Sequence, residues 1–243
     1  MFLRRKNEME GGMVGTQRRL LKRALLAASV CCVAYAGVDL LWPVNADLRR
    51  FDPASLGAQE TGMWRAYYER KPVLLFFGLS HMLRSQFGFP PLRSVLGAVH
   101  ASRAAFVFKD GKNRTDYERA LPMLREYFSE IHRTGNIDFD VERAASAELE
   151  WWIVHRDRAA YPPDALGNAC AEAASALYGI PPESTLEHGR LRAAAMVVRD
   201  TCAASGKVTE ENWRQIDTLL ESCYQSLHRE LIPGGQYAFS RGL

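Results

Sequence analysis

With 243 residues, 47% of them hydrophobic, the chain is long enough to bury a substantial core, which excludes an intrinsically disordered protein. The formal net charge is only +3, and much of the basic excess lies before residue 24. Because the rest of the sequence is close to neutral, its bulk charge gives no indication of nucleic-acid binding, and we expect no nucleic-acid partner.

The first predicted element is a hydrophobic segment over residues 24–42, preceded by a basic segment over residues 1–23. Residues 24–38 carry no charge, and the apolar character continues past Asp39 to Trp42. The stretch approaches the ~20 residues that a membrane-spanning helix needs. The basic flank predicts that the N-terminus stays inside a cytoplasmic-type membrane and that the rest of the chain lies outside. The sequence therefore predicts a single-pass signal-anchor, with the lipid bilayer as a partner through residues 24–42.

The same segment also fits a cleaved signal peptide. A basic start, an apolar stretch and the small-residue pattern Ala34-Tyr35-Ala36 are typical of a signal peptide and its cleavage site. Cleavage near Ala36 would release a secreted or periplasmic domain. A third interpretation, a helix of a soluble cytosolic protein, is disfavoured by the basic flank and the uncharged stretch.

Beyond the hydrophobic segment, the sequence predicts a linker over residues 43–57, a helical domain over residues 58–232 and a flexible tail over residues 233–243. In the domain, apolar residues recur at three- and four-residue spacings, and no stretch alternates at period two. Glycine, proline and capping residues separate the helical segments. The pattern predicts eight helices, approximately over residues 58–70, 73–86, 90–111, 113–132, 138–158, 162–179, 184–206 and 209–233.

Proline, glycine and capping residues predict the details of these helices. Pro122 in the fourth helix predicts a kink or a late start. Gly111 is expected to close the third helix in a left-handed conformation, and Gly179 is expected to close the sixth. Ser184, with a glutamate three residues later, has the spacing of a capping box at the start of the seventh helix. Thr209 is expected to cap the eighth.

Short connections and an even composition predict one all-α domain, a bundle-like globular fold in which consecutive helices run antiparallel. No internal repeat of fixed period is apparent. The domain contains Cys170, Cys202 and Cys223, and this odd number argues against a disulfide framework. If the last three helices run up, down and up, only Cys170 and Cys223 lie at the same level. Any disulfide should therefore join Cys170 to Cys223.

The fifth predicted helix carries the most unusual local sequence. Glu148, Trp152 and His155 follow one another at offsets of four and three residues, so they lie along one line of the helix, with Trp151 beside them. This line overlaps the apolar face of the same helix. An acid and a histidine are therefore expected on or beside a buried surface.

The seventh predicted helix places arginines on a stripe of alanine and methionine. An unpaired buried charge costs several kcal/mol, so Arg192 and Arg199 need carboxylates or carbonyls as partners if they are buried. The natural partners are the acids and the histidine of the fifth helix. The sequence predicts a polar network beside two tryptophans, formed by Glu148, His155, Asp157, Arg192 and Arg199.

Three interpretations of this network remain open. It can be an internal ion-pair network that fixes the register of the helices. It can line a pocket for an anionic or amphipathic ligand, held by the arginines and floored by Trp151 and Trp152. It can also be catalytic, with Glu148 and His155 as an acid and base pair. A cleft that reaches Trp152 and His155 would favour the ligand or enzyme interpretation, whereas a sealed and fully paired network would favour the structural one.

Common catalytic and cofactor motifs are absent from the sequence. It contains no GxxxxGK[ST], no GxSxG and no HExxH, and its histidines do not form Glu-x-x-His pairs on two helices. We expect no metal and no cofactor. The predicted function is a membrane-anchored, extracytoplasmic helical domain with a structural, interaction or ligand-binding role and an unidentified protein or small-molecule partner. The alternative is an exported or anchored enzyme that uses the cluster of glutamate, histidine and arginines, so whether the chain is an enzyme stays open.

Overall fold

The computed structural model describes residues 2–232, and it describes the side chains of residue 18 and of residues 20–232. This part of the chain contains ten α-helices and no β-strand. It divides into two compact units, one up to Trp42 and one from Pro43 onward. The predicted tail over residues 233–243 lies outside the described residues.

The first unit is a single helix, α1 (Phe2–Leu41). Its segment Leu20–Leu41 has 22 residues and a mean hydropathy of 2.0, and protein covers almost none of it. By length and composition this segment is able to cross a membrane, and an N-terminal signal sequence has the same properties. The apolar helix thus includes nearly all of the predicted segment 24–42.

The second unit is built from the remaining helices, and the all-α prediction is confirmed. Eight predicted helices become nine in the described residues because Pro122, in the first turn of a new helix, divides the fourth into α5 and α6. In chain order the helices are α2 (Pro53–Tyr68), α3 (Pro72–Ser85), α4 (Pro91–Asp110), α5 (Arg114–Glu118), α6 (Leu121–Thr134), α7 (Val141–Arg156), α8 (Ala165–Tyr178), α9 (Pro182–Ala204) and α10 (Glu210–Leu231).

Some helix ends differ from the sequence prediction. The helix α9 begins at Pro182, two residues before the predicted cap Ser184, because proline at the first helical position already has a helical φ. Gly111 has a φ of −67°, so α4 ends without a left-handed residue. The capping prediction for Thr209 is confirmed, since its side chain accepts a hydrogen bond from the backbone N–H of Asn212.

Residues 43–57, predicted to be a linker, pack into the second unit. Leu48 and Phe51 are buried in its main apolar core. The backbone of Ala46 donates to the Thr134 carbonyl and accepts from the Asn136 amide, both at 2.9 Å. The segment is not the separate linker that the sequence predicted, because two buried apolar side chains are enough to anchor residues that are otherwise polar.

The second unit has two halves, α2 to α6 and α7 to α10, in which the same caps, turns and hydrogen bonds recur, and this recurrence indicates an internal duplication. Asp52 and Asp140 cap the first helix of each half by accepting backbone N–H bonds. Gly88 and Gly179 follow the second helix of each half, both left-handed at φ 67° and 64°. Each of these glycines is followed, after one further residue, by two prolines that begin the third helix.

The duplication extends to side-chain hydrogen bonds. The hydroxyl groups of Ser94 and Thr185 each donate to the carbonyl of the second of these prolines, at 2.7 and 2.9 Å. Asn113 and Thr209 cap the helices that follow, each by accepting from the amide three residues later. The repeat has no fixed period, because the offset is 88 residues between Asp52 and Asp140, 91 between Gly88 and Gly179, and 96 between Asn113 and Thr209.

The two halves close into a ring of contacts. The last helix of each half packs against the first helix of the other, α6 against α7 and α10 against α2. This exchange of equivalent contacts is the pattern expected of two units related by a twofold rotation. Side chains from both halves therefore face a common interior.

Candidate functional site

A cavity of about 340 Å³ lies inside the second unit, and both halves line it. Its walls are mainly apolar, and its volume is in the range of small-molecule pockets. Several lining residues come from equivalent positions of the duplication. These pairs are Glu60 and Glu148, Trp64 and Trp152, Tyr67 and His155, Ala101 and Arg192, and Phe128 and Tyr224.

In this cavity, Glu60 from the first half is fully paired. The guanidinium of Arg192, on the second half, donates two hydrogen bonds to its carboxylate, one of them 2.9 Å long. The hydroxyl of Tyr224 donates to the same carboxylate, and so does the indole N–H of Trp64 at 3.0 Å. The side chain of Glu60 is buried and that of Arg192 is largely buried, with 7% and 15% exposed. These hydrogen bonds compensate the burial of the two charges, and losing either partner would leave an uncompensated charge between the halves.

The equivalent carboxyl of the second half, Glu148, has no such partner. The indole N–H of Trp152 donates to Glu148 at 3.0 Å, as Trp64 does to Glu60. Within the described part of the chain, no arginine, lysine or histidine lies at ion-pair distance from Glu148. The position equivalent to Arg192 is Ala101.

Burial therefore dominates the electrostatics of Glu148. The side chain is half-buried and lines the cavity, while enough protein surrounds its carboxyl to raise the pKa above the ordinary value. The charge of Arg192 opposes this increase in the pKa, and the charge of Glu60 adds to it. Glu148 is a carboxyl group in an apolar pocket, and its ionised form is disfavoured there.

His155 and Arg199 are held by Asp200 rather than by Glu148. The Nε2 atom of His155 lies 2.8 Å from an Asp200 carboxylate oxygen, and Arg199 donates to the other oxygen at 3.1 Å. The guanidinium of Arg199 also lies over the ring of Tyr68, 3.3 Å from its centroid. Glu148 and His155 thus line the same cavity but are bonded to different groups, which separates the members of the predicted acid and base pair.

The tryptophans surround the buried ion pair. The guanidinium of Arg192 lies 5.2 Å from the ring centroid of Trp151 and 5.8 Å from that of Trp64. Trp151 and Trp152 contact each other edge to face, with their centroids 6.0 Å apart. The aromatic faces therefore contact a cation from the chain itself, an arrangement that favours charge burial.

The cavity brings together most of the residues that the sequence singled out. Arg199 does not line it, and Asp157 lies exposed beyond the end of α7. Sequence reasoning missed Glu60, the carboxylate that Arg192 binds. The sequence does contain a pattern that could have identified Glu60, since it precedes Trp64 by four residues, as Glu148 precedes Trp152. The candidate residues that line the cavity are Glu148, Trp151, Trp152, His155 and Arg192.

Two thiols and a histidine near the cavity are neutral. Cys170 and Cys223 are buried free thiols, and the disulfide considered between them is not formed. Burial raises the pKa of Cys170 to about 12, and burial also lowers the pKa of His188 to about 3. The Nδ1 atom of His188 lies 3.0 Å from the sulfur of Cys223. Because a thiolate is the reactive form of cysteine, these protonated thiols are not poised as nucleophiles.

Across the described residues, no group of three or more His, Cys, Asp or Glu side chains is arranged to hold a metal ion. No protein-family model, curated protein or solved structure matches the chain. The cavity and the apolar N-terminal helix are therefore the features from which a function can be proposed.

Proposed function

We propose that this protein is a membrane-anchored, extracytoplasmic domain that binds a small apolar or amphipathic molecule in its interior. The observation that carries this proposal is the largely apolar cavity between the duplicated halves. Apolar walls favour an apolar ligand, because binding removes the apolar surface of both from water.

The hydrogen-bond pattern supports binding rather than catalysis. Glu148 and His155 are bonded to separate partners, Trp152 and Asp200. The nearby thiols of Cys170 and Cys223 are protonated, so neither is an activated nucleophile. The alternative, an exported or anchored enzyme, requires these groups to change partners when substrate enters.

The arrangement of the arginines supports an apolar or amphipathic ligand over an anionic one. Arg192 is bonded to Glu60, and Arg199 is bonded to Asp200. Each of these cations already has a carboxylate partner. An anionic ligand would have to displace that carboxylate and leave it buried without a partner.

The N-terminal helix supports a location at a membrane. The apolar segment Leu20–Leu41 is preceded by basic residues, which favours an N-terminus inside and a domain outside. A bilayer is also a reservoir of apolar molecules, so a tethered domain has such ligands nearby. A secreted domain, cleaved near Ala36, would bind the same kind of molecule in solution.

Ligand binding can be tested on the full chain in nanodiscs of zwitterionic phosphatidylcholine, with 1-octanol as the probe. Trp64, Trp151 and Trp152 line the cavity, so a bound probe alters tryptophan emission. The variant Ala105→Phe places a ring in the cavity. The matched variant Ala58→Phe places the same ring on an exposed position of α2.

We expect a saturable change in emission for the unmodified chain and for Ala58→Phe, and no saturable change for Ala105→Phe. Cooperative thermal unfolding of each variant establishes that it is folded. A response that rises linearly and equally in all three proteins would come from octanol dissolved in the lipid. That result would contradict the proposed function.

A further inference from the structure

We propose that the ligand carries a protonated amine, which pairs with Glu148, and an apolar body that fills the cavity. This inference rests on the proposed function and names the chemical class of the ligand. In the first half the cavity carboxylate has a partner from the chain, and in the second half it does not.

The two groups that bind Glu60 have no counterpart at the equivalent positions around Glu148. Arg192 and Tyr224 hold Glu60, with the two bonds from the guanidinium and one from the hydroxyl. At the equivalent positions around Glu148 the chain has Ala101 and Phe128, which have no hydrogen-bonding side-chain atoms. The duplicated site has kept its acid and its tryptophan, and it lacks the cation and the hydroxyl.

The charges that face Glu148 from neighbouring helices do not replace that cation. Arg192 approaches from α9 but is paired with Glu60 from α2. Tyr127 from α6 and Cys170 from α8 are neutral, because burial raises the pKa of each. The ionised form of Glu148 therefore leaves one uncompensated negative charge, and an ammonium group is the ligand chemistry that neutralises it.

The surroundings also suit the rest of such a ligand. Most of the other residues that line the cavity are aliphatic or aromatic, among them Leu79, Met82, Leu83 and Leu124. An alkyl chain fits this lining, and the ammonium end remains beside the tryptophan rings. Aromatic faces attract cations in a site of low polarity, which adds to the preference for an amine.

The experiment compares three probes that share one tail and differ in the head group: octylamine, 1-octanol and octanoate. Like a lysine side chain, an alkylamine is protonated at neutral pH. We expect octylamine to bind the full chain in phosphatidylcholine nanodiscs at least ~10-fold more tightly than 1-octanol, because a charge-assisted hydrogen bond replaces a neutral one. Octanoate should bind more weakly than 1-octanol, because Arg192 and Arg199 already have carboxylate partners and the octanoate carboxylate would be buried without a cation.

Two variants test the role of Glu148 directly. Glu148→Gln should remove the preference, so that octylamine binds no more tightly than 1-octanol, since the amide still accepts from Trp152 but carries no negative charge. Ala101→Arg should also remove the preference, because it supplies Glu148 with the guanidinium that Arg192 supplies to Glu60. The matched variant Ala101→Met adds a chain of similar bulk without charge, and it should keep the preference.

The possible outcomes separate the two proposals. Binding of 1-octanol with no tighter binding of octylamine would overturn the amine assignment and leave the proposed function intact. A preference for octylamine that persists in Glu148→Gln would also overturn it. Saturable binding of none of the three probes would overturn the proposed function, and the amine assignment with it.

Discussion

Individual buried charges in this protein depend on a few partners far away in the sequence. Glu60 and Arg192 lie 132 positions apart, yet they form a bidentate pair between the two halves of the duplication. Removing one member of such a pair leaves an uncompensated charge in the interior, which is more costly than losing the attraction itself. The pair therefore makes the contact between the halves sensitive to single substitutions.

The variant Arg192→Met is expected to lower the free energy of unfolding by about 3 kcal/mol or more. The exposed pair between Arg143 and Glu172 serves as the control, and Arg143→Met should cost less than ~1 kcal/mol. Urea unfolding of the full chain in nanodiscs measures both. Adding Glu60→Gln to Arg192→Met should recover part of the loss. Equal costs for the two arginines would contradict the assignment of Glu60 and Arg192 as a buried pair.

The low pKa of His188 predicts that the protein is less stable at acidic pH. Burial lowers its pKa from 6.5 to about 3, so the unfolded chain binds a proton in this range while the folded chain does not. Stability is therefore lost as the pH falls below 6.5. At pH 5 the loss from this residue is about 2 kcal/mol relative to neutral pH. The variant His188→Gln should lack this part of the pH dependence in unfolding measured at pH 7.5 and pH 5. The same loss in the variant and in the unmodified chain would show that His188 is protonated when folded.

The sequence was informative about single residues only where local spacing reports on burial. The helical line of Glu148, Trp152 and His155 predicted an acid and a histidine near a buried surface, and both line the cavity. Local spacing did not predict which carboxylates bind Arg192 and His155. Arg192 binds Glu60 on another helix, and His155 lies against Asp200, because tertiary contacts between distant segments leave no local pattern.

At the level of helices, close packing depends on glycine where α8 meets α9. A Cβ atom on Gly189 would lie 2.1 Å from the carbonyl oxygen of Gly167 and 2.7 Å from the amide nitrogen of Ala171. Both are backbone atoms, so no side-chain movement relieves the clash. The two helices approach each other closely because residue 189 has no side chain.

The variant Gly189→Ala is expected to destabilise the protein by ~2 kcal/mol or more, because α8 and α9 must separate. Gly62→Ala is the matched control, since Gly62 is exposed on α2 and a Cβ there meets nothing within 4 Å. That control should gain ~0.5–1 kcal/mol from the lower entropy of the unfolded chain. Thermal unfolding distinguishes them by the opposite signs of the shift in Tm. A shift of the same sign and size in both variants would contradict the close packing at Gly189.

Helices were predictable where prolines, glycines and caps mark their ends, as at Gly179 and Thr209. Two features were less accessible. The first was Ser184, which has the spacing of a cap but lies inside a helix that the preceding prolines start earlier. The second was the buried pair Leu48 and Phe51, which anchors a polar segment that resembles a linker. In the first case the prolines set the start of the helix, and in the second case burial of two apolar side chains outweighs the polar composition of the segment.

For the whole molecule, composition and helical periodicity were sufficient to predict an all-α domain, since the fold class follows from patterns that every helix repeats. The duplication was missed because loops of different length change the offset between equivalent residues along the chain. Shared positions such as Glu60 and Glu148 are also few among many differences. The cavity between the halves could not be predicted, because it depends on how helices from distant segments pack.

The location proposed for the molecule is tested by fractionating cells that express a C-terminally tagged chain. We expect the full-length product in the membrane fraction and the domain accessible to protease from the outer face, because the basic flank holds the N-terminus inside. The mass of the mature product is the accompanying measurement. A soluble product cleaved near Ala36 would show that the hydrophobic segment is a signal peptide and not an anchor. A full-length cytosolic product would contradict both.

The ring of contacts between the halves also has a consequence for biosynthesis. The surface of α2 that faces α10 is made early and is not covered until the last helix, Glu210–Leu231, has been synthesised. A chain exported as proposed therefore cannot complete its fold on the cytoplasmic side while its C-terminal residues are still on the ribosome. In a chain exported in this way, the ring of the second unit closes only when α10 reaches α2.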